Sequence, residues 1–158
     1  MGPMGTAAIT RTPVIIVEDN IGIAFLLAEQ LRAEAEQLQA FDMDGQHQIV
    51  ASGYRLLRTL DAQVDQTVRL IILDFMLSDG ECLPVLARLR DEEGKNAHPA
   101  LHPEARIIGW SANEQSVTTF RAARADGFIS KHRDPKLLIQ DVLQLLQRLN
   151  NAHWVELR

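Results

Sequence analysis

Apolar residues fall along this chain in short dense runs, and four of those runs stop at a polar residue. Val14-Ile15-Ile16-Val17 stops at Glu18-Asp19, and Val68 to Leu73 stops at Asp74. Ile107-Ile108-Gly109-Trp110 stops at Ser111, and Phe128-Ile129-Ser130 stops at Lys131. Runs of this length without polar alternation read as strands buried on both faces. A weaker strand fits residues 48–51. Between the runs, apolar residues recur at helical spacing. Ile23, Leu26, Leu27 and Leu31 share one face of a helix that Asn20 can cap and that extends toward residue 38. Further helices fit residues 54–61, 82–90 and 114–125. A last helix starts at the cap-then-proline pair Asp134-Pro135 and buries Leu138, Val142, Leu145 and Leu149. The stripe of the fourth helix is thin: Val117, Phe120 and Ala123.

Five strands alternating with five helices predict an α/β fold with a parallel sheet covered on both faces. Right-handed crossovers and the flavodoxin-like strand order 2-1-3-4-5 place a ligand site where the order reverses, at the carboxyl ends of strands 1 and 3. Those are the strands that end at Glu18-Asp19 and at Asp74. The expected organisation is a flexible tail over residues 1–12, one domain over 13–150, and a tail over 151–158. Residues 91–103 read as a long polar loop.

Composition narrows the function. A length of 158 residues supports one full hydrophobic core, and a net charge of −5 argues against a nucleic-acid binder. No apolar stretch reaches the length of a membrane span. Cys82 is the only cysteine, so no internal disulfide can form, and a reducing cytoplasm is the expected setting. Cys82 reads as a packing residue. His98 and His102 have metal-like spacing, but Pro99 and Pro103 break any helix that would align them.

The chemistry lies in the residues that end the strands. Glu18, Asp19 and Asp74 within a few ångströms would repel one another. A hard divalent cation such as Mg²⁺ relieves that conflict and still accepts a phosphate oxygen. Asp74 can attack phosphorus and form an acyl phosphate. Lys131 offers a second positive centre, and the Ser111 hydroxyl a donor for a phosphoryl oxygen. Lysine is scarce here, with only Lys95, Lys131 and Lys136 in the chain, so one directly after a buried strand carries weight.

These motifs resemble the receiver domain of bacterial two-component response regulators, especially the stand-alone receivers of chemotaxis. Val14 to Asn20 is similar to the family's opening strand and acidic pair, and Leu73-Asp74-Phe75-Met76-Leu77 to its phosphoacceptor segment. Ile107 to Ala112 resembles the strand ending in Thr or Ser and then Ala, and Ala125 to Lys131 the stretch ending in the family's lysine. The resemblance spans residues 13–149. It implies that Asp74 accepts a phosphoryl group from a histidine kinase or phosphotransfer protein. It assigns Mg²⁺ to Glu18, Asp19, Asp74 and the backbone carbonyl of Met76, and phosphoryl contacts to Ser111 and Lys131. Phe128 takes the aromatic switch position, and its inward rotation is expected to accompany Ser111 moving toward the phosphate. The signal would leave through the face of the fourth helix, fifth strand and fifth helix toward a protein effector. Homodimer formation stays open. No enzymatic turnover is expected beyond slow self-dephosphorylation, because Met76 cannot orient a hydrolytic water. The alternatives are a receiver-fold scaffold that works without phosphorylation, or a receiver fragment of a larger regulator.

Four positions depart from the family pattern. His132 follows Lys131 where proline is usual and the bond commonly cis. A cis bond before a non-proline residue costs about 2.5–4 kcal/mol, so a trans bond is expected. Ser78 stands where proline is frequent, and Cys82 and Arg124 where glycine is.

Overall fold

A computed structural model describes residues 12–158; most of the expected N-terminal tail, residues 1–11, lies outside the described residues. Strands β1 (Val14–Val17), β2 (His47–Val50), β3 (Val68–Leu73), β4 (Leu101–Ser111) and β5 (Gly127–Ser130) alternate with helices. The helices are α1 (Ile21–Ala33), α2 (Gly53–Asp61), α3 (Leu83–Leu89), α4 (Ser116–Ala122) and α5 (Leu138–Arg148). A sixth strand, β6 (Val155–Leu157), follows α5, and the sheet runs in the order β2-β1-β3-β4-β5-β6 with every pairing parallel.

Strand alternation divides the core into two layers. Val14, Ile16, Leu70, Ile72, Ile108, Trp110 and Ile129 pack under α1 and α5, against Leu27, Leu31, Leu138, Val142 and Leu145. Ile15, Val17, Ile71, Leu73, Ile107 and Phe128 face α2, α3 and α4, against Leu56, Leu60, Leu86, Leu89 and Phe120. Each helix follows its strand, so the N-termini of α1 to α5 gather at the carboxyl edge of the sheet.

Local sequence explains the joints. Asn20 caps α1 by accepting the Ile23 N–H at 3.0 Å. Ser52 caps α2 by accepting the Arg55 N–H at 3.1 Å. Asp79 adds two further acceptors across the loops, one for the Gly53 N–H at 3.0 Å and one for the Tyr54 N–H at 2.9 Å. Asp79 belongs to a two-residue turn between Met76–Leu77 and Gly80–Glu81, so the loop after β3 is pinned to the start of α2. Ser78 completes the joint by donating to the Ala51 carbonyl at 2.7 Å.

At the opposite edge, Arg90 and Asp126 form a buried ion pair at 2.8 Å. The same guanidinium donates to the Ala105 and Arg124 carbonyls, and Asp126 accepts the Ile107 N–H. These bonds offset much of the burial of both charges and leave only Arg90 Nε without a partner. Arg124 has φ 70°, the left-handed region where a side chain costs about 1–2 kcal/mol over glycine. The backbone here thus keeps the shape that the family's glycine suits.

Several expectations change. The sheet has six strands, not five, and β6 takes up part of the segment read as a tail. Val155 and Leu157 are buried beside β5, and a Cβ at Gly127 would lie 2.6 Å from the Val155 carbonyl oxygen. Glycine at 127 is what lets the sixth strand dock so closely. β4 starts at Leu101, inside the expected loop, and a register shift between its pairings to Val68 and Leu70 absorbs residues 102–105. The first helix stops at Ala33 and continues only as the separate turn Ala35–Leu38. α4 is shorter than its pattern predicts, in keeping with its thin stripe. No peptide bond among the described residues is cis, so Lys131-His132 is trans.

Gly109 faces α4, and a Cβ there would fall 2.5–2.7 Å from the ring of the fully buried Phe120. Gly109→Ala is expected to lower the unfolding free energy by about 1–3 kcal/mol through overpacking, measured by urea denaturation against the parent.

Candidate functional site

The strand ends do converge. Glu18 directly follows β1, Asp74 directly follows β3 and Lys131 directly follows β5. Lys131 Nζ donates to Asp74 Oδ2 at 2.9 Å and to Glu18 Oε2 at 3.1 Å. Each carboxylate is fixed from its other oxygen by a backbone donor. The Phe75 N–H reaches Asp74 Oδ1 at 2.7 Å, and the Asn20 N–H reaches Glu18 Oε1 at 3.0 Å. The Lys131 N–H donates to the Ser111 carbonyl at 2.9 Å, which sets the root of the lysine side chain. Beneath the ammonium lies Trp110, whose ring centroid is 4.4 Å from Nζ.

Burial and charge oppose each other at Lys131. Burial pulls its pKa down, but the Asp74 hydrogen bond and charge, followed by those of Glu18, outweigh that and leave it raised. Burial likewise pushes the Cys82 thiol up to about 12, with the Asp74 and Glu81 charges adding to it. Cys82 is fully buried and carries little thiolate, in keeping with a packing role. The Tyr54 and Gly53 N–H groups hold Asp79 below the ordinary carboxylate range.

Asp19 and Met76 border the same small hollow as Glu18, Asp74 and Lys131, with a volume of about 20 Å³. A hollow of about 470 Å³ lies at the opposite edge, lined by Arg69, Arg90, Arg106 and Asp126 among others, away from all the strand-end groups. The smaller one gathers the strand-end charges Glu18, Asp19, Asp74 and Lys131. Its donors fit a hard divalent cation in kind, being carboxylates of Glu18, Asp19 and Asp74. Among the described residues no three His, Cys, Asp or Glu side chains stand together as a metal cluster, and Lys131 bridges two of the three carboxylates.

Two predicted residues stand apart from this group. Ser111 is buried, and its Oγ accepts the Asn113 N–H at 3.1 Å. Strand alternation explains why: Ser111 shares the face of Ile107, while Asp74, Glu18, Lys131 and Trp110 follow the parity of the other face. Phe128 is fully buried, with its ring centroid 6.0 Å from that of Phe120. Phe120 in turn meets Phe75, the residue after Asp74, at 6.5 Å. The switch ring therefore already lies inside. His132 uses the N–H that proline lacks to reach Ser130 Oγ at 3.1 Å. Its Nε2 lies 3.1 Å from the Ala112 carbonyl, which can only accept, so Nε2 carries the proton. The loops after β4 and β5 are thereby tied together. His98 bonds Asp61 and the Ala100 N–H, and His102 the Glu104 N–H.

Sequence reasoning missed Trp110 as a partner of Lys131, although it shares the parity of Asp74. It also missed an apolar rim. Ile21 and Phe25 are 86% and 64% exposed, and Met76 is 58% exposed. Ile21 and Phe25 are four residues apart and off the Leu27–Leu31 stripe, a signal that was legible.

A group whose pKa is raised by folding adds stability in full below its ordinary value. That stability is lost as pH rises through the folded value. The protein is expected to lose stability above about pH 10, and Lys131→Met to lack this component. Urea unfolding of both proteins from about pH 8 to pH 11 measures the difference.

No family model and no curated protein matches the chain. Solved structures do. A response regulator receiver domain protein (CheY-like) from Methanospirillum hungatei superposes with TM-score 0.58 at 18% identity, over 89% of this chain and 98% of that one. The receiver domain of the Saccharomyces cerevisiae response regulator Ssk1, crystallised with the histidine phosphotransfer protein Ypd1, gives TM-score 0.59 at 15% identity, over 90% and 93%. A structure of the P1 domain of CheA3 in complex with CheY6 from R. sphaeroides gives 0.57 at 18% identity, over 87% and 98%. With the strand order and the strand-end residues, these likenesses establish that the chain has the fold of a response-regulator receiver domain.

Proposed function

We propose that the chain is the phosphoacceptor of a two-component relay. The observation that carries this reading is the single ammonium of Lys131 bound at once to Asp74 and Glu18 at the carboxyl edge of the sheet. An Asp74 oxygen attacks the phosphorus of a phosphohistidine. The P–N bond breaks, the imidazole leaves with a proton, and an acyl phosphate forms on Asp74. Catalysis here is positioning and charge neutralisation. Lys131 is within reach of the phosphoryl oxygens because it already sits on Asp74 Oδ2. Glu18, Asp19, Asp74 and the Met76 carbonyl would hold Mg²⁺, which supplies a second positive centre for the phosphoryl oxygens. Ser111 Oγ accepts the Asn113 N–H, and its own O–H is the donor it would offer a phosphoryl oxygen.

The phosphoryl donor is a histidine kinase or a phosphotransfer protein, as in the Ypd1–Ssk1 and CheA3–CheY6 structures. Ile21, Phe25, Tyr54, Leu83 and Leu137 are exposed near helix starts and Met76 in the loop after β3, and this apolar surface would suit such a partner. On the output side, β6 covers the outer edge of β5, so the effector surface consists of α4, β6 and α5. The Arg121 guanidinium lies 5.6 Å from the ring centroid of Trp154, the residue before β6, and ties α4 to the start of that strand. No described helix is long and apolar enough to cross a membrane. We place the protein in the cytoplasm, where such relays meet their kinases.

A second reading, a scaffold that works without phosphorylation, draws on Ser111 lying on the face opposite that of Asp74 and on the inward Phe128 ring. One experiment separates the two. With Mg²⁺ and acetyl phosphate, intact-mass analysis is expected to record one phosphoryl group on the protein and none on Asp74→Asn. An unmodified parent protein would favour the scaffold. Two variants test the details. Phe25→Glu is expected to slow transfer from a phosphorylated phosphotransfer domain at least tenfold while leaving the acetyl phosphate reaction within twofold. Met76→Asn is expected to shorten the lifetime of the acyl phosphate, and an unchanged decay rate would count against the assigned path of water.

A further inference from the structure

Lys131 has three neighbours, and they differ in kind. Two are the carboxylates of Glu18 and Asp74, and the third is the neutral indole of Trp110. Trp110 is 3% exposed and is packed in the layer under α1 and α5. Its own position is fixed by the pairing of β4 with β5, where Trp110 lies opposite Ile129, two residues before Lys131. The lysine side chain therefore rises from the strand next to the ring it covers. Its ammonium lies well within the roughly 6 Å over which a cation is attracted to an aromatic face.

The neutral partner matters because the anionic ones are contested. On the reading above, Glu18 and Asp74 also serve a divalent cation, and a carboxylate that shares its charge holds an ammonium less firmly. A third carboxylate beneath Lys131 would bind the lysine more tightly, but it would also draw the cation off its ligands. An aromatic face attracts the ammonium while adding no net charge and no oxygen donor for a hard cation.

We propose that Trp110 is a positioning residue, a neutral platform that keeps the Lys131 ammonium beside Asp74 when the carboxylates are taken up by the cation. The inference rests on the phosphoacceptor reading of the pocket. It makes the residue before Ser111 a determinant of phosphorylation rate and not of cation binding.

The test compares Trp110→Leu and Trp110→Phe with the parent protein by two readouts, Mg²⁺ affinity from calorimetry and the rate of acyl phosphate formation on Asp74 from acetyl phosphate. The leucine variant keeps an apolar core residue but has no π face. It is expected to react about tenfold more slowly with Mg²⁺ affinity within about twofold, and the phenylalanine variant to fall between. A leucine variant that reacts at the parent rate would overturn the platform. Equal slowing of both variants, or loss of Mg²⁺ affinity along with the rate, would also overturn it, because either marks a packing role. If the parent protein forms no acyl phosphate, the phosphoacceptor reading itself fails and takes the platform with it. A phosphorylated parent beside an unimpaired leucine variant removes the platform alone.

Discussion

Carboxylates crowded at the ends of buried strands repel one another, and the structure rests on how that repulsion is relieved. One ammonium, that of Lys131, pairs with both Glu18 and Asp74, and backbone N–H groups hold the remaining oxygens. The pairing links the ends of β1, β3 and β5, which are not all neighbours in the sheet. It joins the point where strand order reverses to a strand on the far side of β4. A pocket assembled this way is compact and charged.

The surrounding fold supports that edge from both sides. Asp79 locks the loop after β3 to the start of α2, and the Glu18 N–H donates to the Val50 carbonyl at 2.8 Å, joining the ends of β1 and β2. The loops after β4 and β5 are joined by His132, whose N–H and ring reach Ser130 and the Ala112 carbonyl. Proline at that position could make neither bond. The departure from the family pattern thus has a structural consequence: the segment following Ser111 is tethered to the segment following Lys131. The inward Phe128 ring, packed in series with Phe120 and Phe75, extends the same coupling into the core.

Strands β1 and β3, the acidic pair, Asp74 and Lys131 were legible in the sequence because each joins a strong periodic signal to an abrupt polar stop. The parallel order followed from alternation and handedness. Other features were not legible. β6 is only three residues long, and Val155-Glu156-Leu157 is too short to show a period; it exists because Gly127 leaves room for it. The bond that Ser111 Oγ accepts from the Asn113 N–H was not legible either, because it depends on the turn after β4. Trp110 looked like one more core residue, since an aromatic before a strand end carries no mark of what lies over its face. Asp79 read as part of a turn, and its role in capping α2 depends on a contact between residues distant in sequence.

The central claim is that these strand ends form one site for a cation and a phosphoryl group on Asp74. Fluorine NMR of the protein with Mg²⁺ and beryllofluoride, a phosphoryl mimic, tests it most directly. The account predicts protein-bound fluorine resonances that require Mg²⁺ and vanish in Asp74→Asn. Absence of bound resonances at saturating Mg²⁺, or their persistence in Asp74→Asn, would contradict it.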